Sequence, residues 1–135
     1  THGFEDLAAA YGRAQAEAAT PQAALRETAR AYLALAFGRP GLFRLMFDSD
    51  LRSDNPPQSL QAPANAAWTR LRAAVAATDP AADVATVNRR TIAGWSTLHG
   101  FIALTQGKRL RDFMTAPLSQ SELIEAILDK TMRDD

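Results

Sequence analysis

The sequence contains no cysteine and only two histidines among its 135 residues. Without cysteine the chain can form no disulfide, no thiolate nucleophile and no zinc site that uses sulfur. It has no Glu-x-x-His pair and no glycine-rich phosphate loop, which excludes the ligand pattern of di-iron bundles and the common nucleotide-binding motifs. Few nucleophile-and-base combinations remain, so we expect a protein that is not an enzyme and that uses no metal or cofactor.

An excess of charge of either sign is also missing. The 15 lysines and arginines balance 15 aspartates and glutamates, whereas surfaces that bind nucleic acid need a clustered basic excess. No apolar run approaches the roughly 20 residues of a membrane-spanning helix, and no signal-peptide pattern opens the sequence. We therefore expect these residues to contact neither DNA nor a membrane.

The abundant residue is alanine, which makes up about a fifth of the chain and favours helix. Apolar residues recur at three- and four-residue steps along most of the sequence, and no alternation typical of a strand occurs. These patterns predict a single all-α domain over residues 1–135, a bundle of about six helices of which four are long. The predicted helices span approximately residues 3–18, 21–37, 42–47, 58–78, 81–107 and 119–132.

Local signals set most of these boundaries. Thr20-Pro21 is typical of an N-cap followed by the first helical residue, and Asp79-Pro80 predicts the same start for the fifth helix. The sequence Ser119-Gln120-Ser121-Glu122 has the spacing of a capping box. Residues 42–47 fit a strand or a two-turn helix, and we favour the helix because a lone strand has no partner. Residues 48–57 are polar and proline-rich, which predicts a loop.

Large aromatic side chains and one methionine fall on the predicted inner faces of four consecutive helices. They are Tyr32, Phe37, Phe43, Met46, Phe47, Trp68 and Trp95. Such a set is ordinary core or, among many small alanines, the lining of an apolar cavity with Tyr32, Thr91, Ser96 and His99 as its few polar groups. His99 lies one helical turn after Trp95. It is either a core histidine hydrogen-bonded to a neighbouring group or a polar residue that orients a ligand.

The last two long helices carry more apolar residues than one neighbour covers. Either the chain's own core takes them, or they pair with a second copy in a four-helix arrangement, which we favour. The predicted dimer-interface residues are Leu98, Ile102, Leu123, Ile124, Ile127 and Leu128.

Three segments resemble a known family. Tyr32-Leu33-Ala34-Leu35-Ala36-Phe37, followed by Arg39-Pro40-Gly41-Leu42-Phe43-Arg44-Leu45-Met46-Phe47, is similar to the C-terminal domain of TetR-family transcriptional regulators. Trp95-Ser96-Thr97-Leu98-His99-Gly100 resembles the Trp…His-Gly signature of the subgroup named WHG after those residues, and Gly3-Phe4-Glu5-Asp6-Leu7 is similar to the start of that domain.

The resemblance implies an all-α, ligand-sensing and dimerising domain of a cytoplasmic transcriptional regulator, most often a repressor. Binding of a small, largely apolar effector would alter DNA binding by a helix-turn-helix head, and we expect this head to be absent from residues 1–135. The expected pocket residues are Tyr32, Phe37, Phe43, Phe47, Trp68, Thr91, Trp95 and His99, with hydrogen bonds from Tyr32 and His99.

Two other functions remain open at this point. The chain could be a stand-alone helical dimer that carries a ligand or binds a partner, with no role in transcription. A small helical enzyme that depends on His99 is the third possibility.

Overall fold

A computed structural model describes residues 2–48 and 58–132 of the chain, and this part contains α-helices and no strand. The predicted loop at residues 48–57 lies almost wholly outside the described residues. The helices are α1 (His2–Glu17), α2 (Pro21–Gly38), α3 (Pro40–Asp48), α4 (Gln58–Thr78), α5 (Val84–Gln106), α6 (Asp112–Thr115) and α7 (Gln120–Met132). The all-α prediction is confirmed, and the short α6 is an addition to the six predicted helices.

Side-chain caps begin α2 and α7 where the sequence predicts them. The Thr20 hydroxyl accepts a hydrogen bond from the Ala23 backbone N–H at 3.0 Å. At α7, the Glu122 N–H donates to the Ser119 hydroxyl and the Ser119 N–H donates to the Glu122 carboxylate, which is the reciprocal pair of a capping box. These bonds satisfy N–H groups that the first helical turn leaves without a partner.

The predicted start of α5 at Asp79-Pro80 is wrong. The Asp79 carbonyl accepts from the Ala82 N–H in a turn that contains Pro80. Asp83 is the N-cap instead, because its carboxylate accepts from the Thr86 N–H at 2.9 Å. Two aspartates four residues apart offer the same cap chemistry, and the turn selects the second one.

Helix α5 ends in a Schellman motif. The Lys108 N–H donates to the Thr105 carbonyl and the Arg109 N–H donates to the Leu104 carbonyl. Lys108, not the preceding Gly107, has the left-handed backbone that this motif requires, with φ of 56°. The chain then forms the exposed α6, which no periodicity in the sequence predicts.

Helix α2 lies at the centre of the bundle and contacts α1, α3, α4, α5 and α7. Its inner face is almost fully buried at Ala29, Tyr32, Leu33 and Ala36. Alanine at two of these positions lets neighbouring helices approach closely, whereas Tyr32 fills the space between them. Tyr32, one of the predicted pocket residues, therefore lies on the central helix of the bundle.

The apolar residues of α5 do not all face the core. Val87, Thr91, Leu98 and Ile102 are buried, but Val84, Ile92 and Leu104 are among the exposed large apolar residues, at 65%, 52% and 47% exposure. The buried side also includes Phe101, which the sequence analysis leaves out.

Three of the predicted dimer-interface residues are covered by the chain itself. Leu98, Ile102 and Leu128 are 2%, 1% and 0% exposed, because α5 and α7 pack against each other and against α2. Leu123, Ile124 and Ile127 are half-buried against the same core. Of the six predicted residues, a second subunit could therefore contact only Leu123, Ile124 and Ile127 without a rearrangement of the core.

Candidate ligand-binding site

Three polar side chains meet where α2 crosses α5. Tyr32 reaches α5 between Trp95 and His99, which lie one helical turn apart on the same face. The Trp95 Nε1–H donates to the Tyr32 hydroxyl at 3.0 Å, and the Tyr32 hydroxyl lies 2.9 Å from His99 Nδ1. The sequence analysis predicts all three as pocket residues, and the structure brings them into direct contact.

The hydrogen-bond roles follow from the chemistry of the partners. Indole N–H can only donate, so Tyr32 accepts from Trp95, and its own proton is left for His99 Nδ1. When His99 Nδ1 accepts this proton, the proton of the neutral imidazole is on Nε2. Burial raises the pKa of Tyr32, and this effect outweighs the Trp95 hydrogen bond, which lowers it. The phenol therefore remains protonated at neutral pH and can keep donating.

Helix α3 covers this polar group with aromatic rings. The ring centroids of Phe43 and Phe47 lie 5.5 Å and 5.1 Å from that of His99. Phe43 also contacts Tyr32 edge-on at 5.5 Å, and Phe47 contacts Phe4 of α1 at 5.4 Å. These are the edge and tilted geometries that aromatic pairs prefer, so α3 is held on the bundle by ring contacts.

An apolar cavity of about 340 Å³ lies next to this group, between α1, α2, α3, α4 and α5. Its volume is at the lower end of the range for small-molecule pockets. Every lining residue is apolar or aromatic, and none carries a charge; they are Phe4, Leu7, Tyr11, Tyr32, Phe47, Ala64, Ala67, Trp68, Leu71 and Trp95.

Tyr11 is the polar residue of this cavity that the sequence analysis does not select. Its side chain is 2% exposed, yet its hydroxyl forms no hydrogen bond with any residue that the structure describes. Burial, and to a smaller extent the nearby Tyr32, raises the pKa of Tyr11, so the hydroxyl stays neutral. Among the described residues no enclosed polar side-chain atom lacks a hydrogen-bond partner, so the Tyr11 hydroxyl is accessible and can bond to a molecule that enters the cavity.

The predicted pocket residues separate into three groups. Tyr32, Phe47, Trp68 and Trp95 line the cavity. Phe43 and His99 lie behind that lining, in contact with Tyr32 and Phe47. Phe37 and Thr91 do not line it: Phe37 packs edge-on against Phe101, and Thr91 donates to the Val87 carbonyl. Ser96, a possible polar group of the pocket, is exposed.

One wall of the cavity comes from α1, from which the sequence analysis selects no pocket residue. Helix α1 supplies Phe4, Leu7 and Tyr11, and α4 supplies two alanines and Leu71 beside Trp68. The only advance signal was Tyr11 itself, a residue with a polar tip on an otherwise apolar stripe. Periodicity shows which side of α1 faces inward, but it does not show which neighbour that side meets.

Helices α2 and α7 are joined by an ionic cluster. Glu125 accepts from Arg26 at 2.8 Å and from Arg30 at 2.7 Å, and Arg26 also donates to Asp129 at 2.8 Å. Hydrogen bonds from Arg30 and then from Arg26 hold the pKa of Glu125 at about 2. The cluster links the helix that carries Tyr32 to the last long helix of the chain.

The exposed side of α5 forms an uncharged surface. Between Arg89 and Lys108 it shows only small or apolar residues, which we call the α5 stripe; they are Ile92, Ala93, Ser96, Gly100, Ala103 and Leu104. Exposed apolar side chains continue beyond α5 at Phe113, Met114 and Leu118.

Residues 2–48 and 58–132 contain neither a metal-binding cluster nor a membrane-spanning helix. In these ranges no group of three or more histidines, aspartates and glutamates is placed to hold a metal ion. None of the helices there is sufficiently long and apolar to cross a membrane.

Comparison with known proteins identifies the family. Residues 25–131 match the family described as "Tetracyclin repressor-like, C-terminal domain". Among solved structures the chain is similar to a protein of unknown function from Rhodococcus sp. RHA1, with a TM-score of 0.80 and 23% sequence identity over 97% of this chain and 67% of that one. Comparison with curated proteins finds no match.

Proposed function

Since this chain belongs to the family of tetracyclin repressor-like C-terminal domains, we propose that it is the ligand-sensing and dimerising part of a transcriptional regulator, most simply a repressor. Its effector is a small, uncharged, largely apolar molecule. Binding in the cavity changes the DNA affinity of the regulator to which the domain belongs. We expect no catalysis, because the cavity offers no charged or nucleophilic group.

The observation that carries this proposal is the apolar cavity, whose lining holds no charge and includes the side chain of Tyr11. A charged ligand would lose its hydration there with no opposite charge among the lining residues, which costs several kcal/mol. A neutral ligand of about the cavity's volume would gain roughly 25 cal/mol for each Å² of apolar surface that it buries. One hydrogen-bonding group on that ligand would satisfy Tyr11.

A route from the cavity to the rest of the molecule starts at Tyr32. A ligand that displaces Tyr32 or Trp95 acts on the contact between α2 and α5, and α2 is bound to α7 by the Arg26–Glu125 and Arg30–Glu125 pairs. Because α5 and α7 also pack against each other, a shift of α2 reaches both helices. If α2 can adopt a shifted position, the ligand favours it only when its contacts with the shifted helix are better than those with the present one.

The ligand-binding proposal is tested by filling the cavity. Ala64 lines it from α4, whereas Ala73 of the same helix is exposed and lies outside it. We expect mass spectrometry of the denatured protein, or a thermal-shift screen of neutral apolar compounds, to identify a ligand. At a concentration 100-fold above Kd it should stabilise the protein by about 2.7 kcal/mol.

Ala64→Leu should abolish that stabilisation, and Ala73→Leu should leave it unchanged. Equal stabilisation of both variants would show that the compound binds elsewhere, and a screen without any shift would contradict the cavity's role. A ligand that binds yet leaves the regulator's DNA affinity unchanged would favour a carrier function over a transcriptional one.

We further propose that the α5 stripe is the dimer interface. A methyl group at Gly100 would meet no atom within 4 Å outside its own helix, and the same holds at Gly41 of α3. Glycine in a helix interior costs up to about 1 kcal/mol relative to alanine, so Gly100→Ala does not harm a monomer. At a close helix–helix contact, however, the added methyl groups of two subunits would clash.

Sedimentation equilibrium distinguishes these cases. Gly100→Ala should weaken the dimer, and Gly41→Ala should dimerise like the parent chain. A parent chain that sediments as a monomer, or a Gly100→Ala variant that dimerises normally, would contradict this placement of the interface.

A further inference from the structure

A second cleft of about 380 Å³ opens between α2, α4, α5 and α7. Trp95 and Leu71 form part of its wall and also part of the apolar cavity's wall, so the two spaces lie back to back. Helices α5 and α7 approach closely at its edge, where a Cβ at Gly94 would lie 3.3 Å from Thr131 Cγ2. Its floor is apolar and consists of Leu25, Ala29, Leu71, Val75 and Leu98.

Most threonine hydroxyls of this cleft have no proton to offer a ligand. Thr78, Thr91, Thr97 and Thr131 each donate to a carbonyl of their own helix at 2.7 to 2.9 Å. A hydroxyl used in this way can still accept a hydrogen bond but cannot donate another. Donors for a bound acceptor group must therefore come from other side chains.

Three cationic side chains of the cleft supply such donors. Arg89 and Arg90 come from α5, Lys130 comes from α7, and no acidic residue is part of the lining. Outside the lining, Asp79 accepts from Arg90 at 3.1 Å. Arg89 donates to the Thr86 hydroxyl at 3.2 Å, and its charge also acts on Asp83. Arg89 and Lys130 are thus the cations best placed to bind an anion from solution.

We propose that this cleft is a second binding site, selective for a small amphipathic carboxylate. Arg89 and Lys130 bind the carboxylate, and the hydrocarbon part lies on the floor formed by Leu25, Val75 and Leu98. A guanidinium and an ammonium group facing one carboxylate give charge-assisted hydrogen bonds that an alcohol or an amine of the same length cannot form. The site is distinct from the apolar cavity, whose lining carries no charge.

Octanoate, octan-1-ol and octylamine are matched probes because they share a chain length and differ in head-group charge. We expect calorimetry or thermal shift to show octanoate binding more tightly than the other two. The double variant Arg89→Gln/Lys130→Gln should weaken octanoate binding by roughly tenfold or more and leave octan-1-ol binding unchanged. Arg13→Gln, which removes an exposed cation of α1 outside the cleft, should bind octanoate like the parent chain.

Two further measurements separate this site from the apolar cavity. Octanoate should shift the backbone amide resonance of Gly94, which lines only the cleft, and should still bind to the Ala64→Leu variant. The proposal is overturned if octanoate does not bind, if it binds no better than octan-1-ol, or if the double variant retains full affinity. Loss of octanoate binding in Ala64→Leu would also overturn it, because the probe would then occupy the apolar cavity.

Discussion

Replacing Tyr32 with phenylalanine removes a single oxygen atom from the contact between α2 and α5. The ring of Tyr32 is kept, together with its packing against Phe43 at 5.5 Å. What is lost is the hydrogen bond from Trp95 Nε1–H at 3.0 Å and the one to His99 Nδ1 at 2.9 Å. Tyr32→Phe therefore measures the polar group alone.

The expected cost follows from these two bonds. Each contributes about 1 kcal/mol net, so their loss should lower the free energy of unfolding by about 2 kcal/mol. The indole N–H and imidazole nitrogen left behind would add a larger penalty if they were fully buried. Trp95 and His99 are only half-buried, so water can replace part of what Tyr32 supplied. In thermal unfolding the loss corresponds to a decrease of roughly 8 °C.

Tyr11→Phe is the matched control. It removes the same oxygen atom from an equally buried tyrosine that makes no hydrogen bond with the described residues. We expect its unfolding free energy to stay within about 0.5 kcal/mol of the parent chain, because no hydrogen bond to a described residue is lost. The same variant should weaken binding of any cavity ligand that hydrogen-bonds to Tyr11.

The assay is urea unfolding followed by far-UV circular dichroism. Tryptophan fluorescence is unsuitable, because the emission of Trp95 changes directly when its neighbour Tyr32 is replaced. Protein concentration must be equal for all variants, since dimerisation would stabilise each of them by mass action. If Tyr32→Phe were as stable as the parent, or if both variants lost the same stability, the hydroxyl of Tyr32 would not hold α2 to α5 in the way the geometry indicates.

Two further predictions concern charged groups. Arg30 and Arg26 lower the pKa of Glu125 to about 2 in the folded chain, so its stabilising contribution is present above its unfolded value of 4.5 and is lost as pH falls from there towards 2. In denaturant titrations, Glu125→Gln should therefore lose less stability between pH 6 and pH 3 than the parent chain does. The control Glu17→Gln should behave like the parent, and parallel pH profiles for Glu125→Gln and the parent would refute the prediction. Asp83→Ala should lower the free energy of unfolding by about 1 kcal/mol in the same titrations, because it removes the N-cap of α5. An unchanged stability would contradict the assignment of Asp83, and not Asp79, as that cap.

The helices themselves could be predicted because their signals are local. Thr20 and Ser119 cap helices through atoms within three residues of themselves, so the sequence contains the whole interaction. Asp79 and Asp83 show the limit of such signals. Both offer a carboxylate before a helical stretch, and the choice depends on the turn that α4 and α5 impose on the residues between them.

The candidate site divides in the same way. Trp95 and His99 share a face of α5 by helical spacing alone, and Tyr32 was a reasonable partner as a buried aromatic residue with a polar tip. The Tyr32 hydroxyl lies between Trp95 and His99 only because α2 crosses α5 at this position, and the sequence does not specify that crossing. Phe37 is also an aromatic residue on the predicted inner face of α2, yet it packs against Phe101 away from the cavity.

The sequence by itself determined that this chain is helical, has no net charge and contains no cysteine. Composition and short-range periodicity decide these properties, and they do not depend on how the helices pack. Only the tertiary structure decided that Tyr11 lines the cavity, that Leu98 and Leu128 belong to the chain's own core, and that Ile92 is left on the surface. The physical reason is that an apolar face must be buried somewhere, but its neighbours along the chain do not specify which surface covers it.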